Sequence, residues 1–356
     1  MGREGVTQRP EVPEGTVGGA ILLDLVRDMP GITRDRIEAL SVENIRRNRP
    51  HIETGKSIRD LREMQIGDGD SAVIVAAGPS AHRNTPAARL KESGYRGAIV
   101  ATESAMFQCL QVGLVPSLVV SVDPHSDRIK RWFGDPNLPT TIQDDYFRRQ
   151  DLDESFANEH EHNKKVLALL EQYGPQMRIA LSASASQAVV DRVREAGMEA
   201  YWWNPMLDDP DLPGSITRTV CLENRLPAMN AGGNVGTASW MMAQAVLSKK
   251  HVALTGMDFG YYDDTPYEKT QYYDRAVALL GADRLDDFFI RIFNSDLNQW
   301  FYTDPAYYWY RQSFLELLQE ADCTTYNCTN GGTLFGNGIV TTDLAKFVQQ
   351  MKARPS

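Results

Sequence analysis

The length, composition and charge of this chain exclude several classes of protein. It has 356 residues, of which 42% are hydrophobic and 24% charged, which is typical of a folded globular protein and exceeds one average domain. Because its formal net charge is -10, it lacks the basic field that nucleic-acid backbones require. The apolar run at residues 18–26 contains Asp24 and is too short to span a bilayer, which predicts a cytoplasmic protein without a membrane span. Its 4 cysteines lack zinc-site spacing and are predicted to be reduced thiols.

The N-terminal part differs in pattern from the rest of the chain. Residues 1–66 contain four prolines and two helical stretches, at 19–28 and 34–47, and are predicted to form a helical N-terminal extension. Residues 67–356 are predicted to form a Rossmann-like nucleotide-binding domain. Charge-rich residues at about 125–174 and tyrosine-rich residues at about 260–305 are predicted insertions in it, the first as a helical or mobile cover for a cleft.

Strand-like and helix-like segments alternate through the second part. Apolar runs at residues 72–77, 98–102, 118–122, 178–182, 200–203 and 252–255 read as buried strands, with helices predicted at 103–112, 186–196, 235–247 and 307–321. A further short strand is predicted at 324–326. Because parallel strands need crossover connections, this alternation predicts an α/β fold with a mostly parallel sheet and helices on both faces.

The first strand ends in a glycine turn. Ala77, Gly78, Pro79 and Ser80 follow its apolar residues directly. Glycine permits close backbone approach, and a serine near a helix N-terminus suits an anionic ligand. The alternative is a turn in which Ser80 caps the helix.

The third strand leads directly into Asp123, which is followed by Pro124 and His125. Ligands of open α/β sheets bind at the carboxyl ends of the strands, so a carboxylate here is a candidate ligand for a metal or for ribose hydroxyls. An Asp-Pro turn without a ligand is the alternative. His125 is the histidine best placed for proton transfer, although a solvated loop histidine is equally compatible with this position.

A second glycine turn opens the helix predicted at residues 235–247. Gly232, Gly233 and Asn234 precede it and Thr237 lies one turn inside, so its amide dipole favours phosphate. The next strand ends at Asp258, which places a second carboxylate at the same edge of the sheet. These residues predict a nucleotide site, and capping without a ligand is again the alternative.

Five tyrosines follow Asp258 closely: Tyr261, Tyr262, Tyr267, Tyr272 and Tyr273. Phenols donate hydrogen bonds to phosphate without adding charge, although such clusters also simply pack. The sequence has neither a Walker-type loop nor a full dinucleotide fingerprint, so ordinary P-loop or dehydrogenase chemistry is not supported.

Four blocks in this order resemble a known family. VIVAAGPS at 73–80, VVSVDP at 119–124, GGNVGT at 232–237 and GMD at 256–258 are similar to the 6-hydroxymethylpterin diphosphokinase-like (MptE-like) domain. That domain is also the core of motility accessory factors, which are implicated in attaching nonulosonic acids to flagellin. The resemblance covers about residues 71–264.

GMDFGY at 256–261 also resembles a segment of bacterial sialyltransferases that use CMP-sialic acid. By that resemblance Tyr261 and Tyr267 hold the donor phosphate. Asp258 and His125 are further catalytic candidates because of their positions after strands. The resemblance implies a general-base histidine, but residues 300–304 offer only Tyr302 and Asp304 in its place.

Three functions follow from these resemblances. The first is a glycosyltransferase of nonulosonic or sialic acid type with a CMP-sugar donor and a glycan or protein acceptor. The second is 6-hydroxymethylpterin diphosphokinase, which transfers diphosphate from ATP to a pterin and needs Mg²⁺ on carboxylates such as Asp123 and Asp258. The third is a non-catalytic nucleotide-binding protein. The segment at 256–261 and the tyrosines after it favour sugar transfer.

Overall fold

The structure is a computed structural model that describes Thr16 and residues 22–125, 130–138, 159–336 and 338–353. Residues 126–129 and 139–158 of the predicted insertion at about 125–174 lie outside these described residues. Within them, no helix has the length and apolar character needed to cross a membrane.

A large parallel sheet forms the centre of the molecule. Its strands are β1 (Lys56–Ser57), β2 (Ser71–Val75), β3 (Ala98–Thr102), β4 (Leu118–Ser121), β5 (Arg178–Ser182), β6 (Glu199–Pro205), β7 (Ala228–Met229), β8 (His251–Thr255), β12 (Thr324–Asn327) and β13 (Ile339–Thr341). The strands β9 (Tyr261–Tyr262), β10 (Ile290–Asn294) and β11 (Gln299–Thr303) form a separate small sheet. The order across the large sheet is β1-β6-β5-β4-β3-β2-β8-β12-β13, and β7 pairs with β6. Each pairing in it is parallel. The predicted α/β, Rossmann-like fold is confirmed.

Helices cover both faces of this sheet, which is why its strands are continuous apolar runs. Ile74 and Val100 pack on one face with Trp240, while Val73 and Val75 pack on the other with neighbouring helices. The helices are Leu22–Arg47, Arg49–Thr54, Pro79–Asn84, Pro86–Ser93, Glu103–Gln111, Glu159–Tyr173, Gln187–Glu195, Ile216–Asn224, Val235–Met241, Tyr273–Leu280, Pro305–Gln319 and Leu344–Lys352. The helix Val235–Met241 continues as a π-helix over Met242–Val246.

The chain order reverses in the middle of the sheet. From β2 the chain proceeds outward through β3, β4, β5 and β6, and then returns to place β8 on the opposite side of β2. In open α/β sheets the crevice beyond the carboxyl ends of two such strands is where ligands bind. The turns that follow β2 and β8 therefore define the position of the candidate site.

The tyrosine-rich residues after β8 contribute a second, antiparallel sheet. Its order is β10-β11-β9, so the hairpin of β10 and β11 folds back on the two residues of β9. The helix Pro305–Gln319 follows directly, with the Asp304 side chain as its N-cap.

The N-terminal part contributes one short strand to the main sheet. β1 pairs with β6, so the main sheet begins at Lys56. Leu22–Arg47 is one helix, where two stretches are predicted on either side of Pro30 and Gly31. Asn44 donates to the carbonyl oxygens of Pro124 (3.0 Å) and Ser184 (2.8 Å), so the end of this helix lies over the loops that follow β4 and β5.

Candidate active site at the carboxyl edge of the sheet

The two turns at the reversal point are joined by hydrogen bonds. The amide of Gly78, after β2, donates to the carbonyl of Gly256, after β8 (2.9 Å). The Ser80 hydroxyl donates to Oδ2 of Asp258 (2.8 Å), and the Ser80 amide lies 3.2 Å from Oδ1. The two sequence blocks are thus one structural unit, as their positions at strand ends predict.

Asp258 is enclosed by this unit. It is 2% exposed, and a Cβ atom placed on Gly78 would lie 2.3 Å from its Oδ2 atom. Burial raises the pKa of Asp258 to about 7, and the hydrogen bonds from Ser80 offset part of that rise. Because Asp258 accepts from both donors of Ser80, a ligand at this turn meets the partly exposed Gly78 and Pro79 instead.

The second glycine turn begins beside the same unit. A Cβ atom on Gly236 would lie 3.4 Å from Cε of Met257, so the helix Val235–Met241 starts next to the turn after β8. Asn234 is its N-cap and accepts from the amide of Thr237 (2.9 Å), which is fully buried. Thr237 and the Asn234 side chain therefore form the cap, while Gly233 is exposed.

The two tyrosines proposed for the donor phosphate differ in environment. Tyr261 is 3% exposed and stacks between Tyr302 and Tyr307, with ring centroids 5.2 Å apart in each pair. Its hydroxyl donates to Oδ2 of Asp304 (3.2 Å). Tyr267 is partly exposed and its hydroxyl donates to Asp286 (2.8 Å). Of the two hydroxyls, only that of Tyr267 is on the surface.

Asp304, which stands near the position where the resemblance implies a histidine, is a buried helix cap. Its Oδ1 atom accepts from the amides of Ala306 and Tyr307, both at 2.9 Å. Burial raises the pKa of Asp304 to about 7. Its geometry is that of an N-cap rather than of a base in a cleft.

Asp123 and Asp258 follow strands that are not neighbours in the sheet. They follow β4 and β8, with β3 and β2 between them, which places the two strand ends roughly 14 Å apart at the usual strand spacing. In the described residues, no group of three or more His, Cys, Asp or Glu side chains is placed to hold a metal. A magnesium site built from both carboxylates is therefore not supported.

A buried acidic residue that sequence reasoning did not select lies next to Asp123. Glu103 is the first residue of the helix after β3 and is 4% exposed. Burial, with a smaller contribution from the charge of Asp123, raises the pKa of Glu103 to about 8. Asp123 accepts from the amide of His125 (2.8 Å). The available signal in the sequence is a glutamate immediately after a buried strand.

Arg83, which the sequence analysis did not select, packs on Tyr262 of the predicted tyrosine cluster. The Arg83 guanidinium lies 3.7 Å from the centre of the Tyr262 ring and forms an ion pair with Asp264. The Tyr262 hydroxyl donates to the carbonyl of Asn330 (3.2 Å). These contacts place a half-exposed positive charge one turn beyond Gly78.

No family model matches the sequence, and no curated protein matches it. A solved structure of a MAf glycosyltransferase from Magnetospirillum magneticum AMB-1 is similar with a TM-score of 0.48 and 13% sequence identity. The match covers 80% of this chain and 38% of that chain, so this chain spans well under half of that protein.

Proposed function

We propose that this chain is a cytoplasmic transferase that uses a nucleotide-activated donor, and that the donor is a CMP-sugar of the nonulosonic or sialic acid type. The observation that carries the proposal is the joining of the two turns at the reversal between β2 and β8. That crevice is where open α/β sheets bind nucleotides. The acceptor is then a glycan or a protein.

The second glycine turn supports a phosphate at this edge. The exposed Gly233 and the cap Asn234 stand at the start of a helical segment that continues to Val246. Helix N-termini offer unpaired amides and a favourable dipole to anions. Arg83, one turn beyond Gly78, is half-exposed and would exchange its ion pair with Asp264 for one with the leaving phosphate.

Sugar transfer and diphosphate transfer make different demands on the histidine and the carboxylates of the site. Direct displacement from a CMP-sugar requires stabilisation of the departing phosphate and removal of a proton from the acceptor. His125 is the candidate for that proton transfer, and its Nε2 atom is buried without a hydrogen-bond partner among the described residues. Diphosphate transfer to a pterin would need Mg²⁺ between carboxylates, and the separation of Asp123 from Asp258 counts against it.

The test of nucleotide binding uses a change that keeps the acceptor of the helix cap. Asp accepts from the Thr237 amide as Asn does, but it loses the donor that Asn234 offers to the Gly232 carbonyl and the Thr237 hydroxyl. Asn234→Asp is therefore checked by thermal unfolding and, where folded, is expected to weaken CMP binding about tenfold or more by charge repulsion. Gln176→Glu adds the same charge on an exposed residue just before β5, at the opposite edge of the sheet. Titration calorimetry of both variants is the measurement. Equal affinities of the wild type and Asn234→Asp would remove this turn from the site.

Turnover separates the three candidate functions. The wild type is expected to consume a CMP-sugar in the presence of excess chelator, because this reaction needs no metal. ATP-dependent turnover of a pterin that chelator abolishes would establish the diphosphokinase instead. Nucleotide binding without turnover of either substrate pair would identify a binding protein.

The two tyrosines are tested as a pair of hydroxyl deletions. Tyr267→Phe is expected to lower turnover about ten- to a thousandfold with little change in stability, if its surface hydroxyl supports the leaving phosphate. Tyr261→Phe leaves Asp304 without its phenol and is expected to cost about 1–2 kcal/mol in free energy of unfolding. Urea denaturation and initial rates are measured for both. Full turnover in both variants would make the cluster purely structural.

A further inference from the structure

We propose that Glu103, His125 and Ser41 form a subsite that binds a vicinal pair of hydroxyl groups, from the ribose of the nucleotide or from the transferred sugar. The inference rests on the proposed function, because it assigns the part of the donor that these residues contact. The subsite lies beyond the carboxyl ends of β3 and β4, between those strand ends and the N-terminal helix.

The sheet brings the first two residues together. Thr102, the last residue of β3, pairs with Val120 of β4, so Glu103 lies beside the end of β4. The loop after β4 carries Asp123 and His125, which are joined by the hydrogen bond from the His125 amide. The effect of the Asp123 charge on Glu103 also indicates that the two carboxyl groups are close.

The N-terminal helix covers this region with Ser41. Ser41 is 1% exposed and lies three residues before Asn44, so both side chains project from the same face of the helix. Asn44 donates to the carbonyl of Pro124, the residue before His125. Ser41 therefore faces the loop after β4 from above.

Each of the three residues presents a buried polar atom without a protein partner. Among the described residues, Oγ of Ser41, Oε2 of Glu103 and Nε2 of His125 are buried and accept or donate no hydrogen bond. An unpaired buried polar group costs about 1–3 kcal/mol, and native structures contain few of them. Three such atoms on three different elements indicate that a ligand with several hydroxyl groups satisfies them.

A diol fits these atoms better than a phosphate does. A protonated carboxyl group and an imidazole both donate to and accept from hydroxyls, whereas the neighbouring charge of Asp123 would repel a phosphate. In dinucleotide-binding sheets, an acidic residue about 20 residues after the glycine turn and on the neighbouring strand binds ribose hydroxyls. Glu103 follows Gly78 by 25 residues (103 minus 78) and lies at the end of β3, the neighbour of β2.

The experiment compares three ligands on four proteins by titration calorimetry. The ligands are CMP, 2′-deoxy-CMP and CMP-N-acetylneuraminic acid, and the proteins are the wild type, Glu103→Leu, Ser41→Ala and Ser71→Ala. Glu103→Leu replaces an unpaired buried carboxyl by an apolar group of similar size, so it is expected to fold, which thermal unfolding checks. Ser71→Ala is the control, because Ser71 is a buried serine at the start of β2, at the opposite edge of the sheet.

If the ribose occupies the subsite, Glu103→Leu is expected to weaken CMP binding about tenfold and to abolish the preference of the wild type for CMP over 2′-deoxy-CMP. If the transferred sugar occupies it, only the binding of CMP-N-acetylneuraminic acid weakens by that factor. Ser41→Ala is expected to weaken binding of the same ligand as Glu103→Leu does, and Ser71→Ala is expected to bind all three ligands like the wild type. If Glu103→Leu and Ser41→Ala both bind all three ligands as tightly as the wild type does, the proposed subsite is wrong, while the proposed function still stands. A wild type that binds none of these ligands would overturn the proposed function together with it.

Discussion

Gly256→Ala is expected to lower the free energy of unfolding by about 4 kcal/mol or more, whereas Gly69→Ala is expected to lower it by about 1–2 kcal/mol. Both glycines have left-handed backbone conformations, with φ of 68° and 65°. A Cβ atom on Gly256 would lie 2.0 Å from the carbonyl oxygen of Ala76, while one on Gly69 would meet nothing within 4 Å. The pair therefore separates the cost of the conformation from the cost of the clash.

Urea denaturation of the two variants measures the difference. Because the Gly256 carbonyl accepts from Gly78, relief of the clash by backbone movement would also pull apart the turns after β2 and β8. Any Gly256→Ala protein that remains folded is therefore expected to lose nucleotide binding. Equal destabilisation of the two variants would mean that β2 and β8 do not approach each other as closely as described.

The free energy of unfolding is expected to depend on pH through Glu103. In the folded protein this buried carboxyl keeps its proton up to about pH 8, because burial raises its pKa, while in the unfolded chain it ionises near 4.5. The folded state therefore binds one more proton between these values. The stabilisation is complete below pH 4.5 and is lost as the pH rises to about 8.

Glu103→Gln removes this titration. The amide imitates the protonated carboxyl, so the variant is expected to match the wild type at pH 5 and to be more stable by about 2–3 kcal/mol at pH 8.5. Urea denaturation at the two pH values measures the effect. Burial also raises the pKa values of Asp258 and Asp304, so a dependence of the same sign remains in the variant and the comparison uses the difference between the two proteins. A variant less stable than the wild type at pH 8.5 would contradict a neutral Glu103.

The central strands are predictable because each is an unbroken apolar run. Strands β3 and β5 have the predicted bounds, since a strand buried on both faces needs hydrophobic residues at every position. The tyrosine-rich hairpin and the short strands β1, β7 and β13 have no such runs. Their formation depends on tertiary contacts that a local pattern does not contain.

The arrangement of the site depends on the order of the strands in the sheet, which could not be predicted from the sequence. Asp123 and Asp258 both follow strands, and only the reversal after β6 determines that two other strands separate them. The same topology makes Glu103 a neighbour of Asp123, although a glutamate at the start of a helix reads locally as a capping residue. The pairing of Ser80 with Asp258 spans 178 positions and was predictable only as two turns at one edge.

A chimera with another protein of similar fold has to keep the contacts of the N-terminal helix with the sheet loops. Asn44 and Asn48 together donate to the backbone carbonyls of Pro124, Ala183, Ser184 and Ala185. If residues 67–356 alone were joined to the N-terminal part of another protein, these four carbonyls would meet a helix without the two asparagines, or no helix at all. A chimera therefore has to include the helix Leu22–Arg47, because a junction at residue 67 would separate the loops after β4 and β5 from the helix that covers them.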